Sequence, residues 1–186
     1  MRKNFGVKPM VYPMPVFIIG TYGEGDVPNA MNAAWGGISE ENEISICISE
    51  DHKTTENILS RRAFTVSMAT ADFVSACDYV GIVSGNDVSD KLSRCGLHTV
   101  KSELVDAPII VELPMALECR LKSYDPEICR LVGEIVNVSC DEEYITDGKI
   151  DPAKLRPITY DSANHTYRVL GDVVGKAYSD GLVFKK

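Results

Sequence analysis

The sequence predicts a mainly β domain with two or three small helices inserted, arranged as a closed antiparallel barrel. Many short β-rich runs recur at steady spacing along the 186 residues. Turn signals rich in Gly, Asp and Pro separate them. Ile44, Ile46 and Ile48 alternate strictly with Ser45, Cys47 and Ser49, which marks a strand buried on one face.

Val16–Tyr22 opens the series as a β-rich run that stops at Gly23-Glu24-Gly25-Asp26. Asn29–Ile38 resumes as a strand, dense in Ala and Gly and carrying the chain's one Trp. Thr54–Arg61 has a helical pattern, with Thr54 or Thr55 as N-cap, Ile58 and Leu59 facing inward and Arg61 in the last turn. Phe64–Met68 is the next strand. Asp72–Val83 sets Phe73, Ala76, Cys77 and Val80 at helical spacing and ends near Gly85-Asn86, and Val88–Cys95 is a second short helix ending at Gly96. Strands return after Pro108. In Ala116–Ser123, Leu117, Cys119 and Leu121 share one face and Glu118, Arg120 and Lys122 the other. Leu131–Val138 follows across a turn at Pro126, Thr146-Asp147-Gly148-Lys149 is a hairpin signal, and Tyr167–Leu170 is the last strand.

Composition narrows the function classes. Hydrophobic residues make up 45% and charged residues 25%, an ordinary globular balance at a length that suits one domain over residues 1–186. The net charge of −8 counts against non-specific binding to nucleic acid or anionic membranes, both of which need a positive field. No apolar run approaches the roughly 20 residues of a membrane span. Arg2 and Lys3 are not followed by an apolar core of a secretory signal, so a cytoplasmic protein is expected. None of the six cysteines forms a CxxC pair, so no metal site is expected, and most should be reduced, small, buried hydrophobes.

Three segments can carry chemistry. Asp51-His52-Lys53-Thr54-Thr55-Glu56 sets a cation and two hydroxyls at a helix start, where free amides and the helix dipole favour a phosphate. A plain helix cap explains the same residues, and Glu50 and Asp51 oppose an anion unless they point away. Pro28 to Gly37 has small side chains, which let a ligand approach a strand closely, and Asn29 and Asn32 can serve a heterocycle edge. A tight barrel corner with Trp35 in the core is the rival reading. The third segment, Ala76-Cys77-Asp78-Tyr79-Val80-Gly81, runs on through Ser84-Gly85 to Asp90-Lys91 and sets Lys91 in a short helix after a Gly-containing loop, where a surface lysine is the ordinary reading.

In this order, Asn29-Ala30-Met31-Asn32-Ala33-Ala34-Trp35, His52-Lys53-Thr54-Thr55-Glu56-Asn57-Ile58, Ala76-Cys77-Asp78-Tyr79-Val80-Gly81 and Asp90-Lys91 resemble the flavin reductase-like family, and within it the flavoredoxin branch. The likeness extends to Val105–Ile110, Leu117-Glu118-Cys119 and Tyr167–Gly171. It implies an FMN-binding split β-barrel that works as a homodimer with flavin near the subunit seam. It also implies that Asn29, Met31, Asn32, Ala33, Ala34 and Trp35 line the flavin ring, continued by Cys47, Ile48 and Ser49. By the same likeness Lys53, Thr54 and Thr55 hold the phosphate beside His52, Lys91 approaches from the following segment, and His165 and Tyr167 sit near the open face. No residue is expected to act as an acid, base or nucleophile, because hydride chemistry belongs to the cofactor. No GxGxxG follows a strand, so NAD(P)H would bind transiently over the flavin. The expected activity is NAD(P)H-dependent flavin reduction, with electrons passed to free flavin, a small acceptor or a redox protein partner. The alternative is an FMN electron-transfer protein without NAD(P)H turnover of its own.

Overall fold

The computed structural model describes residues 1–185. Its centre is a seven-stranded antiparallel sheet. In chain order the sheet strands are β1 (Phe17–Tyr22), β2 (Pro28–Ala33), β3 (Gly36–Glu40), β4 (Glu43–Cys47), β5 (Ala63–Met68), β8 (Met115–Asp125) and β9 (Arg130–Cys140). Two short strands, β6 (Thr99–Lys101) and β7 (Pro108–Ile110), pair outside it, as do β10 (Ile145–Thr146) with β11 (Lys149–Ile150) and β12 (Ile158–Asp161) with β13 (Thr166–Val169). The helices are α1 (Lys53–Arg61), α2 (Val74–Ile82), α3 (Lys91–Arg94) and α4 (Pro152–Leu155).

Spatial order in the large sheet is β2-β1-β5-β8-β9-β4-β3. The curled sheet therefore has β2 and β3 as its two edges, joined directly through Ala34 and Trp35. The expected single strand Asn29–Ile38 is broken there, and the barrel is split at that seam rather than closed by a hydrogen-bonded ladder. Phe17, Ile19, Ile44, Ile46, Phe64, Val66, Leu117 and Leu131 fill the barrel. Val16, Ile18, Ala30, Cys77, Val80, Leu92 and Ile110 form a second core under α2. β1 serves both cores, which explains why Phe17–Tyr22 is buried throughout instead of alternating.

Several side chains depart from the sequence pattern. Leu59 lies outside, because the inward stripe of α1 is Thr54, Asn57 and Ile58, one helical turn apart. Glu118 is buried: its pairing register shifts at a bulge before Cys119, and its carboxylate takes bonds from Ser102 Oγ and from Asn137 Nδ2. Only Cys77 and Cys119 of the six thiols are buried; Cys47 is exposed and Cys95, Cys129 and Cys140 are half-buried. The Thr146–Lys149 hairpin forms as expected.

Candidate functional site

Asn29 of β2 is 7% exposed and couples the sheet edge to α1. Its Nδ2 donates to Thr54 Oγ1 at 2.9 Å, while its Oδ1 is buried without a partner among the described residues. An orphaned buried acceptor costs about 1–3 kcal/mol, so this atom calls for a donor from outside the chain. The loop after α2 closes the same corner. A Cβ at Gly85 would press into Asn29 Oδ1 and stand 3.3 Å from Lys53 Cβ, so only glycine lets the backbone pass. Asn86 Nδ2 ties that loop to the Asp51 carbonyl at 3.3 Å. Between them lies a cleft of about 200 Å³ whose lining includes Glu24, Asn29, Lys53, Asn57, Gly85 and Ser89.

α1 begins at this cleft. Its first internal bond runs from the Glu56 amide to the His52 carbonyl at 3.2 Å, so the amides of Lys53, Thr54 and Thr55 have no partner within the helix. The expected threonine cap is corrected here. His52, exposed, holds the cap position and makes no side-chain cap bond. Thr54 and Thr55 lie inside the helix and are buried, where a hydroxyl must find a partner. Thr55 finds the Ser49 carbonyl at 2.6 Å, and Thr54 accepts from Asn29 with its own proton still free to donate. Lys53 Nζ pairs with Glu56 Oε1 at 2.7 Å, a solvated pair worth little that an anion could displace. The Ser49 hydroxyl holds the Asp51 carboxyl below its usual range, so Asp51 stays ionised. This corner can hold an anion on helix amides and Lys53, with a neighbouring hydroxyl donating to Asn29.

Two further clefts flank the seam, and Ala34 lines both. A groove of about 720 Å³ is bounded by Trp35, Cys47, Ile128, Arg130 and the strap of residues 8–15. Trp35 is 55% exposed there, so it is not core. The other cleft, about 430 Å³, is lined by Asn32, Asp78, Gly81, Tyr160, His165 and Tyr167. Asn32 Nδ2 donates to the Cys77 carbonyl at 3.0 Å, fixing the strand edge against α2. Tyr167 Oη donates to Asp78 Oδ1 at 2.7 Å, and burial together with that carboxylate raises the phenol's pKa. Tyr160 Oη lies 3.0 Å from His165 Nδ1.

The remaining expected site residues sit deeper. Met31, Ala33 and Ile48 turn their side chains into the barrel core. Ser49 presents its carbonyl to Thr55. Lys91 is no surface lysine: it is 2% exposed, and its Nζ donates to the carbonyls of Val80 at 3.2 Å and Val83 at 2.8 Å. There it neutralises the C-terminal end of α2. Burial lowers its pKa to about 8. Lys91 lines none of the three clefts. Asp78 and Gly85 lie in a segment that the sequence singles out, though neither is named there as a site residue, and nothing local sets Tyr160, Ile128 and Arg130 apart. The prolines at 9, 13 and 15 were the available signal for the strap.

The family model described as the flavin reductase like domain matches residues 10–164. Flavoredoxin of Desulfovibrio vulgaris (Miyazaki F) is 36% identical, with 97% of this chain and 100% of that chain covered and a TM-score of 0.93. Flavoredoxin of Methanosarcina acetivorans is 27% identical over 98% of this chain and 100% of that one, with a TM-score of 0.88. An FMN-binding domain of a flavin reductases-like enzyme from Shewanella baltica, 20% identical over 87% of this chain and 88% of that one, shares the fold at a TM-score of 0.76. The split barrel, its seam between β2 and β3 and the match over most of the sequence agree: the chain belongs to the flavin reductase like domain family.

Proposed function

We propose that the chain binds FMN along the seam and is an oxidoreductase that moves a hydride from NAD(P)H through that flavin to free flavin, a small acceptor or a protein partner. The observation that carries this reading is the corner of Asn29, Gly85 and the α1 start. It offers an orphaned acceptor for a ribityl hydroxyl and free amides with Lys53 for a terminal phosphate. When bound, FMN supplies the redox chemistry, taking up two electrons as a hydride and returning them.

The chain's residues then bind and orient. β2 is a sheet edge, so its outer backbone groups have no ladder partner and can meet the polar edge of the flavin ring. Asn32, Ala34, Trp35 and Cys47 bound the ring, with Met31, Ala33 and Ile48 contributing backbone while their side chains anchor it to the core. Thr54 and Thr55 brace the phosphate corner, and His52 stands at its mouth. Lys91 positions the loop that carries Gly85 by holding the end of α2. Tyr167 and His165 border the open cleft where a nicotinamide or acceptor would approach. We assign the working unit as a cytoplasmic homodimer of one such domain per chain.

The likeness to two flavoredoxins favours a second reading, an FMN electron carrier reduced by another redox protein. Purified protein should be yellow with a flavin spectrum. Anaerobic NADH or NADPH should bleach it under the first reading and leave it oxidised under the second. A colourless protein that takes up no added FMN defeats both.

A further inference from the structure

The last strand, β13, ends at Val169, and the chain then leaves the body. Residues 171–185 are exposed throughout. Val173, Val174, Tyr178, Leu182, Val183 and Phe184 lie between 58% and 102% exposed. Six large apolar side chains held in water at one end of a chain need a cover. The segment is nonetheless shaped. The Lys176 amide donates to Asp180 Oδ2 at 2.9 Å, the Ser179 and Asp180 amides donate back to the Lys176 carbonyl at 3.3 and 3.1 Å, and a 3-10 turn follows over Asp180–Phe184. Gly175 sits inside this hook, where a Cβ would lie 2.7 Å from Asp180 Oδ2. Tyr178 takes a left-handed φ of 60°, unfavourable for an aromatic residue unless its surroundings demand it. Among the described residues, every hydrogen bond of this hook closes within the hook.

The body presents the matching lack. The groove of about 720 Å³ between the strap and β3, β4 and β9 is lined largely by apolar side chains, with Lys8, Ser45 and Arg130 among them, and its own chain leaves Trp35 and Ile128 each 55% exposed.

We propose that the C-terminal arm, residues 172–185, is exchanged between two copies of this chain and lies in the partner's groove over Trp35, Cys47 and Ile128. The inference rests on the homodimer reading above and adds to it which segment crosses and where it lands. A two-fold pair satisfies both needs at once, since each chain gives an arm and receives one. At roughly 60–120 Å² of apolar surface per large aliphatic side chain, two arms with the surfaces they cover reach the range of about 1,200–2,000 Å² typical of specific interfaces. The arm would also wall the outer end of the flavin seam at Trp35 and Cys47, so each site would be completed by the other copy.

The exposed Cys47 supplies the test. The full-length Phe184→Cys variant, treated with a short bis-maleimide, should give a band of twice the chain mass in a denaturing gel. The band should be absent from wild type and from the Phe184→Cys/Cys47→Ser double variant. Deleting residues 172–186 should weaken the dimer in sedimentation by at least about tenfold in dissociation constant. A protein that sediments as a dimer but gives no Cys47-dependent band, or whose dimer survives the deletion unchanged, overturns the exchanged arm alone. A cross-link that forms within one chain overturns it as well. A protein that sediments as a monomer overturns the arm and the homodimer together.

Discussion

Asn29 donates to Thr54 across the corner where β2 meets α1, at 2.9 Å, and leaves its own Oδ1 buried without a partner among the described residues. Half of the amide thus stabilises the fold, and under the proposed function the other half serves the flavin. Asn29→Ala removes both halves. The lost bond and the relieved orphan offset each other, so the apo protein should lose only on the order of 1 kcal/mol of stability. FMN affinity should fall by about tenfold, the equivalent of roughly 1.4 kcal/mol. Urea unfolding of apo protein and FMN titration check the pair of outcomes. A large stability loss with unchanged affinity would make Asn29 a packing residue only.

Lys53 opens α1 beside its free amides, and Glu56 competes for its ammonium at 2.7 Å. FMN should therefore bind better than riboflavin, which lacks the phosphate. A charge-assisted contact is worth about 1.5–3 kcal/mol, or roughly 10- to 150-fold in affinity. Lys53→Ala should erase most of that difference. Glu56→Gln should widen it, because the lysine is released and a nearby negative charge removed. Equal affinities for the two ligands in wild type would move the phosphate elsewhere.

Lys91 makes the stability of the fold pH-dependent in an unusual direction. Burial lowers its folded pKa from 10.5 to about 8. Between those values the unfolded chain keeps the proton and the folded chain releases it, so this lysine's contribution to stability rises with pH across the window. Below about 8 both states are charged and the burial penalty is felt in full. Lys91→Met removes the penalty but strands two carbonyls at the end of α2. The stability difference, wild type minus variant, should therefore increase from pH 8 to 10.5. Paired unfolding curves at those pH values measure it, and a flat difference would show that the ammonium is well solvated.

The strands were legible where the barrel core takes alternate side chains. Ile44 to Ile48 and Leu117 to Leu121 obey a period of two because the barrel core takes every second side chain. The break at Ala34 and Trp35 was not legible, since small residues read as strand and only the distant pairing partners of β2 and β3 reveal two edges. Glu118 escaped because its burial follows from a bulge and from Ser102 and Asn137, all remote in sequence. The α1 start stood out as a candidate site from its cation and hydroxyls. Its inward stripe was misread because Thr54 and Asn57 are polar, and polar residues turn inward only when partners such as Asn29 and Thr21 wait there. Ala33 shows the same limit. Its side chain belongs to the barrel core, so Ala33→Leu would strain packing, and Ala34→Leu is the cleaner probe of the ring wall.

Asp161 clamps the strap that forms one wall of the large groove. It is 4% exposed and accepts from Tyr12 Oη at 2.6 Å, Asn164 Nδ2 at 2.8 Å and Arg168 Nε at 3.1 Å. The Tyr12 bond, then the Asn164 bond, hold its carboxyl well below the ordinary value of 3.8. A folded pKa below the unfolded one means that the stabilisation is complete above 3.8 and is lost as pH falls below it. The same bond raises the Tyr12 phenol above its usual 10.0, so alkali that ionises the phenol also opens the clamp. Asp161→Asn keeps the shape but loses the charge, and with it the ion pair to Arg168. The strap stays attached further on, where the Met14 amide donates to Thr159 Oγ1 at 2.8 Å. The loosened part should be residues 8–12. At neutral pH thermolysin should cut the variant before Met10 or Val11 several-fold faster than wild type, with the rest of the chain equally resistant. Lowering the pH should shrink the stability gap between the two proteins. Identical cleavage rates at neutral pH would show that the strap is held by its prolines and Met14, and that Asp161 clamps only its own hairpin.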